Sequence, residues 1–180
     1  MLDFGETYEE ELPRVYGYVA YQVTSHEEAE DLTQQTFERA LAHWHDFDDR
    51  RATITTWLLA IARNLVVDHF RARSRRPPTV SFEDLSDAQL DSTGYSDPAL
   101  GIGPELELAL AALGEREREL VALRYGADLS GPQIASVTGL SVANVQQILS
   151  RSLRRLRAEL ERGGAASRRI GPVENERAPG

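Results

Sequence analysis

Residues 77 to 104 divide the chain. They hold four prolines, three glycines, five acids, no base and no sustained hydrophobic period, so they can neither continue a helix nor build a core. Weak apolar spots at Val80, Phe82, Leu85, Leu90, Leu100 and Ile102 can dock but not nucleate. The flanks on both sides carry helical periodicity, so the 180 residues read as an all-α protein of two small helical units joined by an extended acidic linker. The expected division is 1 to 76, 77 to 104 and 105 to 162, with a disordered tail from 163 to 180.

The first unit shows helix starts. Thr7-Tyr8-Glu9-Glu10 and Ser25-His26-Glu27-Glu28 both fit the capping box, so two helices are expected to begin there. In the second, Ala29, Leu32, Thr36, Ala40 and Trp44 share one face with Phe37 and Leu41 beside it, leaving Glu30, Asp31, Gln34, Gln35 and Glu38 outside. His45 to Arg51 reads as a polar loop. From Thr53 a third helix is apolar almost all round and is expected to be mostly enclosed, ending in Arg71, Arg73, Arg75 and Arg76 before Pro77-Pro78 stops it. Its narrow polar strip is Thr56, Ala60, Arg63, Asn64, Val67 and Arg71, between about 180° and 280° on a helical wheel. That strip can face a duplex, or its arginines can do no more than complement the helix dipole.

Past the linker, Ser130 is placed as an N-cap, Pro132 lies in the first turn and Gln133 stands at N3. The helix ends at Gly139, Leu140 follows, and Ser141 caps another. Helix, short glycine turn and helix is the order of a helix-turn-helix. On the last helix Val142, Val145, Leu149, Leu153 and Leu156 share a packing face. Ala143, Gln147, Ser150, Arg151 and Arg154 lie opposite, with Asn144, Gln146 and Arg155 on the flanks. Amides near the start of such a helix can pair with base edges and arginines further along with phosphates.

Charge agrees with this reading only when taken by segment. The net charge is -9, which argues against nucleic acid, yet residues 1 to 49 carry thirteen acids against two arginines while 50 to 76 carry seven arginines against Asp68. Residues 129 to 162 add five arginines against Glu159 and Glu161. Two basic blocks therefore sit inside an acidic protein. With no cysteine, disulfides, thiolate metal sites and a cysteine nucleophile are excluded. His43 and His45 do not share a helical face and have no third ligand nearby, and no nucleotide-binding or hydrolase motif is present. No metal, cofactor, catalytic residue or small-molecule substrate is expected. No apolar run nears 18 residues and the first residues lack a basic, apolar leader, so a cytoplasmic protein without membrane insertion is expected.

Together these residues resemble the group IV, or extracytoplasmic-function, sigma factors of bacterial RNA polymerase. Ala29-Glu30-Asp31-Leu32-Thr33-Gln34-Gln35-Thr36-Phe37-Glu38-Arg39-Ala40 is similar to the family's polymerase-binding run. Trp57 to Asp68, followed by arginines, is similar to regions 2.3 to 2.4, and residues 105 to 160 to region 4. The resemblance implies that Asp31, Leu32, Gln34, Gln35 and Phe37 bind the clamp coiled coil of core polymerase. Thr56, Arg63, Asn64, Arg71, Arg73, Arg75 and Arg76 would serve the minus-ten element, with a flipped base held on the loop from His45 to Thr55. Ser141, Ala143, Asn144, Gln146, Gln147, Ser150, Arg151, Arg154 and Arg155 would serve the minus-thirty-five element. Promoter DNA, the polymerase flap and an anti-sigma protein are the further implied partners, and the linker would lie in the RNA-exit path.

Two residues and one three-residue stretch depart from the family pattern. Gln35 replaces a glutamate, Pro132 stands where an acid is common, and Gln146-Gln147-Ile148 lacks a basic residue. Rival readings are a free-standing helix-turn-helix regulator, which leaves Glu30 to Ala40 without a role, and an adaptor that binds polymerase without reading DNA.

Overall fold

The computed structural model describes residues 3 to 23, 25 to 75 and 102 to 169. Seven α-helices occur among them: α1 (Phe4–Ala20), α2 (His26–Ala42), α3 (Ile54–Arg75), α4 (Pro104–Ala111), α5 (Glu115–Val121), α6 (Gly131–Thr138) and α7 (Val142–Arg169). No strand is found among the described residues. Most of the expected linker, residues 77 to 101, lies outside them, together with residue 76.

Helix α1 starts earlier than the Thr7 box implies. Asp3 is the N-cap, its carboxylate accepting from the Glu6 amide at 3.0 Å, while Thr7 Oγ1 donates to the Asp3 carbonyl at 2.8 Å. Asp satisfies the free amides of a first turn as well as Thr does, and it stands one turn further out. Ser25 does cap α2, accepting from the Glu28 amide at 3.4 Å. Glu28 does not reach back to complete a box, however; its Oε1 lies 3.5 Å from His69 Nε2 and 3.3 Å from Arg73 on α3. A carboxylate with two basic groups in reach gains more there than from one amide.

Helices α1, α2 and α3 pack round Val15, Tyr18, Val19, Ala29, Leu32, Phe37, Ala40, Leu58, Leu59, Ala62 and Leu65. Trp44 lies past the end of α2 in a single 3₁₀ turn, Trp44 to Asp46. Leu41, expected beside the packing face, is 56% exposed. Thr53 caps α3, accepting from the Thr56 amide at 3.3 Å. This helix is less enclosed than its composition implies. Leu58, Leu59, Ala62, Leu65 and Val66 are buried, but Ala60, Asn64, Val67 and Asp68 form a solvent-facing stripe. Small and β-branched apolar residues at Ala60 and Val67 stand in the open without large cost.

In the second unit Gly103 precedes α4, with Pro104 in the first turn. A small core forms from Ala109, Leu110, Leu113, Val121 and Leu156, whereas Leu108 is 75% exposed. After α5 the chain widens into a π turn, Ala122 to Gly126, closed by the Ala127 amide on the Ala122 carbonyl at 3.0 Å. Asp128 then takes a left-handed φ of 53°, which a short polar side chain tolerates. Gly139 ends α6 with φ 72°, the conformation a glycine stop needs. Helix α7 runs to Arg169, so residues 163 to 169, expected to be disordered, continue it. Two adjacent glycines disfavour a helix by about 2 kcal/mol, which a long preformed helix can carry through into Ala165-Ala166. The remaining tail, 170 to 180, lies outside the described residues.

The two units are packed together. Leu120, Ala122, Leu123, Leu129, Ile134 and Val145 belong to the same apolar cluster as the first unit's core. The π turn lies against α1, and α6 lies against α3.

Candidate functional site

The solvent face of α2 carries Asp31, Gln34, Gln35 and Glu38, all exposed. Gln34 Nε2 donates to Glu38 Oε1 at 2.8 Å, which holds both side chains out along the helix. Leu32 and Phe37 do not join them. They are 5% and 4% exposed, and Phe37 meets Tyr8 edge-on with ring centroids 4.7 Å apart. Their assignment to a partner-binding face is corrected: a side chain spent on the core has no surface left for a partner. Leu41, missed in the sequence, lies one turn past Glu38 on the exposed face. An accessible leucine among amides and carboxylates is the composition of a contact centre with a polar rim.

The stripe on α3 presents Asn64, Arg71, Arg73 and Arg75 to solvent, while Thr56 is half-buried and hydrogen-bonded to Thr53 Oγ1 at 2.9 Å. Arg71 lies 3.8 Å from Asp68 and Arg73 is paired with Glu28. Arg76 falls outside the described residues. Arg63 is already occupied, its Nε donating to the carboxylate of Glu119 on α5. Ahead of α3, the loop is framed by aromatic rings. Phe4 meets Trp44 edge-on at 5.1 Å, and Phe47 lies 5.3 Å from Trp57. Below it Glu11, 5% exposed, accepts from Thr55 Oγ1 at 2.8 Å and from Arg14 at 3.3 Å, fixing the first turn of α3 to α1.

The helix-turn-helix is built by its caps. Gln133 Oε1 accepts from the Ser130 amide at 2.8 Å, and Ser141 Oγ accepts from the Asn144 amide at 3.2 Å. Ser141 is thus a cap as well as a surface residue. The packing face of α7 differs from the expected one. Val145 and Ser152 are fully buried, Leu156 is 6% exposed and Ile148 is half-buried, whereas Val142 and Leu153 are 38% and 39% exposed. The face is rotated by about 40° from the expected one. Gln147 and Arg154 stay on the side opposite it.

Ser141, Ala143, Asn144, Gln146, Gln147, Ser150, Arg151, Arg154 and Arg155 are all exposed. Arg155 stands apart: it donates to Glu117 at 2.6 Å and to the Ala112 carbonyl at 3.0 Å, clamping α7 to α5 and the end of α4. Arg157, not singled out in the sequence, is exposed on the flank shared by Gln146 and Ser150.

Tyr18 is 1% exposed beneath the Arg63–Glu119 pair. Burial, then the Glu119 carboxylate, raises its phenol above the usual range, so it is a neutral group there. Among the described residues no cluster of three histidine or acidic side chains is placed to hold a metal ion, and no helix is long and apolar enough to cross a membrane.

Residues 7 to 76 match the family model Sigma-70 region 2, and residues 104 to 156 match Sigma-70, region 4. Among curated proteins, the chain is 34% identical over 155 residues to the ECF RNA polymerase sigma factor BldN of Streptomyces coelicolor, covering 85% of this chain and 58% of that protein. It is 30% identical to the ECF sigma factor SigM of Bacillus subtilis, covering 88% of this chain and 95% of that one. In fold it is similar to the sigma factor RpoE solved with the anti-sigma factor NepR from Bartonella quintana. The TM-score is 0.68 at 24% identity, over 88% of this chain and 97% of that one. It is likewise similar to CnrH in complex with the cytosolic domain of CnrY, at TM-score 0.62 and 23% identity over 88% and 87%.

Proposed function

The chain belongs to the extracytoplasmic-function sigma factors of RNA polymerase, which direct promoter recognition and transcription initiation and are not enzymes in the catalytic sense, and on that premise we propose a role for each of its surfaces. Residues 1 to 76 form the unit that docks on the clamp coiled coil of core polymerase and serves the minus-ten element. The docking face is Asp31, Gln34 and Gln35, joined by Glu38 and Leu41. Asn64, Arg63 and the arginines from Arg71 onward face the minus-ten DNA, and the loop from His45 to Thr55 holds a flipped base. Unstacking a base costs a few kcal/mol, so a shaped receptacle turns that cost into sequence selection.

Residues 105 to 162 seat on the polymerase flap and place α7 in the major groove of the minus-thirty-five element. Gln147, Asn144 and Gln146 lie nearest base edges, and Arg151, Arg154 and Arg157 nearest phosphates. Residues 77 to 104 span between the two units. The site of action is the cytoplasm, and an anti-sigma protein is a further partner, as NepR is for the solved RpoE.

The observation that carries this reading is the geometry of α7. Its amides and arginines are exposed opposite a fully buried Val145, behind a short turn whose glycine and caps are in place.

The docking face has its own test. Asp31→Arg combined with Gln34→Ala is expected to weaken binding to core polymerase while leaving the helical circular dichroism unchanged, because both side chains are exposed. Leu41→Ala alone is expected to weaken binding in the same direction. Unchanged capture of polymerase by the folded double variant would overturn the assignment of this face.

A further inference from the structure

We propose that His69 and Arg73 of α3 compete for one carboxylate, Glu28 of α2, so that a proton on His69 frees Arg73 and strengthens the hold on minus-ten DNA as pH falls. The proposal rests on the reading of α3 as the minus-ten surface.

Arg73 donates to Glu28 Oε1 at 3.3 Å, and His69 Nε2 lies 3.5 Å from the same oxygen. That nitrogen is buried and makes no hydrogen bond. The imidazole thus stands beside a carboxylate oxygen that another cation already holds. Glu28 is fixed in the first turn of α2, where the helix dipole favours its charge, and its amide donates to the Ser25 cap at 3.4 Å.

The two protonation states of His69 call for different partners. A neutral imidazole carries one N–H and no charge, so the carboxylate stays with Arg73, whose bond is the charge-assisted one. An imidazolium carries a proton on both nitrogens, and the buried Nε2 then needs the anion beside it. Besides Glu28 it faces two cations, Arg73 one turn along α3 and Arg118 of α5, which lies 6.0 Å from the centre of the adjoining Phe70 ring. The nearby titratable groups of α1 and α2 are engaged with each other: Tyr16 meets His26 Nδ1 at 2.7 Å, and His26 Nε2 lies 3.1 Å from Glu30. Asp68 is turned to solvent, 3.8 Å from Arg71.

Charging His69 therefore sets two cations on one carboxylate and gives Arg73 a like charge as neighbour. Both effects loosen Arg73, which is 65% exposed and can then reach a phosphate. Linkage fixes the sign: if the proton favours a free Arg73, DNA that engages Arg73 favours the proton. Imidazole is the side chain that changes charge between about pH 5 and pH 8, which sets the range to search.

The test uses holoenzyme assembled from core polymerase and the full chain, bound to a promoter fragment from which it starts transcripts, from about pH 8 down to about pH 6 at fixed salt. Affinities are compared between variants at each pH, which cancels titration of polymerase and of His26, His43 and His45. Relative to His69→Gln, the unaltered chain is expected to gain about threefold in affinity as pH falls, the scale of a partly exposed ion pair. Glu28→Gln is expected to bind more tightly than the unaltered chain at the upper pH, with the difference shrinking at the lower.

The same pH profile in His69→Gln as in the unaltered chain, with circular dichroism retained, would overturn the proposal. Should His69→Gln lose helix, Glu28→Gln decides: no advantage at the upper pH, or one that does not shrink, overturns it equally. A chain that starts no transcript with core polymerase at any pH refutes the promoter reading, and the proposal with it, by a separate readout.

Discussion

Replacing Phe37 by alanine is expected to remove a large fraction of the stability of the first unit, and polymerase binding with it. Phe37 is 4% exposed, meets Tyr8 edge-on and belongs to the cluster that holds α2 on α1 and α3. Emptying such a site costs about 3 to 5 kcal/mol, against a total of about 5 to 15 kcal/mol for an ordinary domain. Urea denaturation followed at helical wavelengths should show the midpoint falling by a large fraction. The contrast with Asp31→Arg plus Gln34→Ala is the informative part: that pair is expected to lose polymerase with the fold intact. Phe37→Ala with native stability and reduced polymerase binding would put Phe37 back on the docking face and contradict its burial.

The second large effect is expected on α7. Gln147 and Arg154 both stand directly opposite Val145, with Gln147 nearer the end that enters the groove. If Gln147 reads a base edge, Gln147→Ala should cost about 1 to 3 kcal/mol at one promoter position and relax selection there. Arg154→Ala should weaken binding to every sequence and lower the salt slope by about one. Arg155→Ala is expected to behave unlike both. Because it clamps Glu117 and the Ala112 carbonyl, its loss should show first in the stability of the second unit. Transcription from promoters randomised at the minus-thirty-five element, with each variant, separates these outcomes. A uniform loss from Gln147→Ala with an unchanged preferred sequence would end its base-reading role.

What is legible in the sequence here is local. Ser25, Ser130, Gly139 and Ser141 mark helix ends because a cap is a contact over three or four residues, and all four stand where those signals put them. The apolar period of α2 also places Leu32 and Phe37 inward. The motif resemblance pulled them outward because it gives an order of residues without saying which of them face the partner. The rotated face of α7 has a different cause. Ser152 is polar, but its hydroxyl donates to the Ile148 carbonyl at 2.9 Å, so the helix satisfies it internally and it can be buried.

Contacts across the linker have no local signal at all. Arg63 and Glu119 are 56 residues apart, and nothing near either announces that it serves the other. Their pairing depends on how the two units meet, which periodicity within either unit does not encode.

On the function proposed above, promoter selection by this chain works through core polymerase. The most direct test is run-off transcription from a set of promoter fragments with purified core polymerase, alongside binding of the same fragments by the chain alone at physiological salt. The acidic first 49 residues oppose approach to phosphates and each basic block is small, so the chain alone is expected to show no preference among duplexes. With core polymerase it is expected to start transcripts at defined positions on a subset of fragments. Selective binding by the chain alone, without any polymerase-dependent transcript, would contradict the account and favour a free-standing helix-turn-helix regulator.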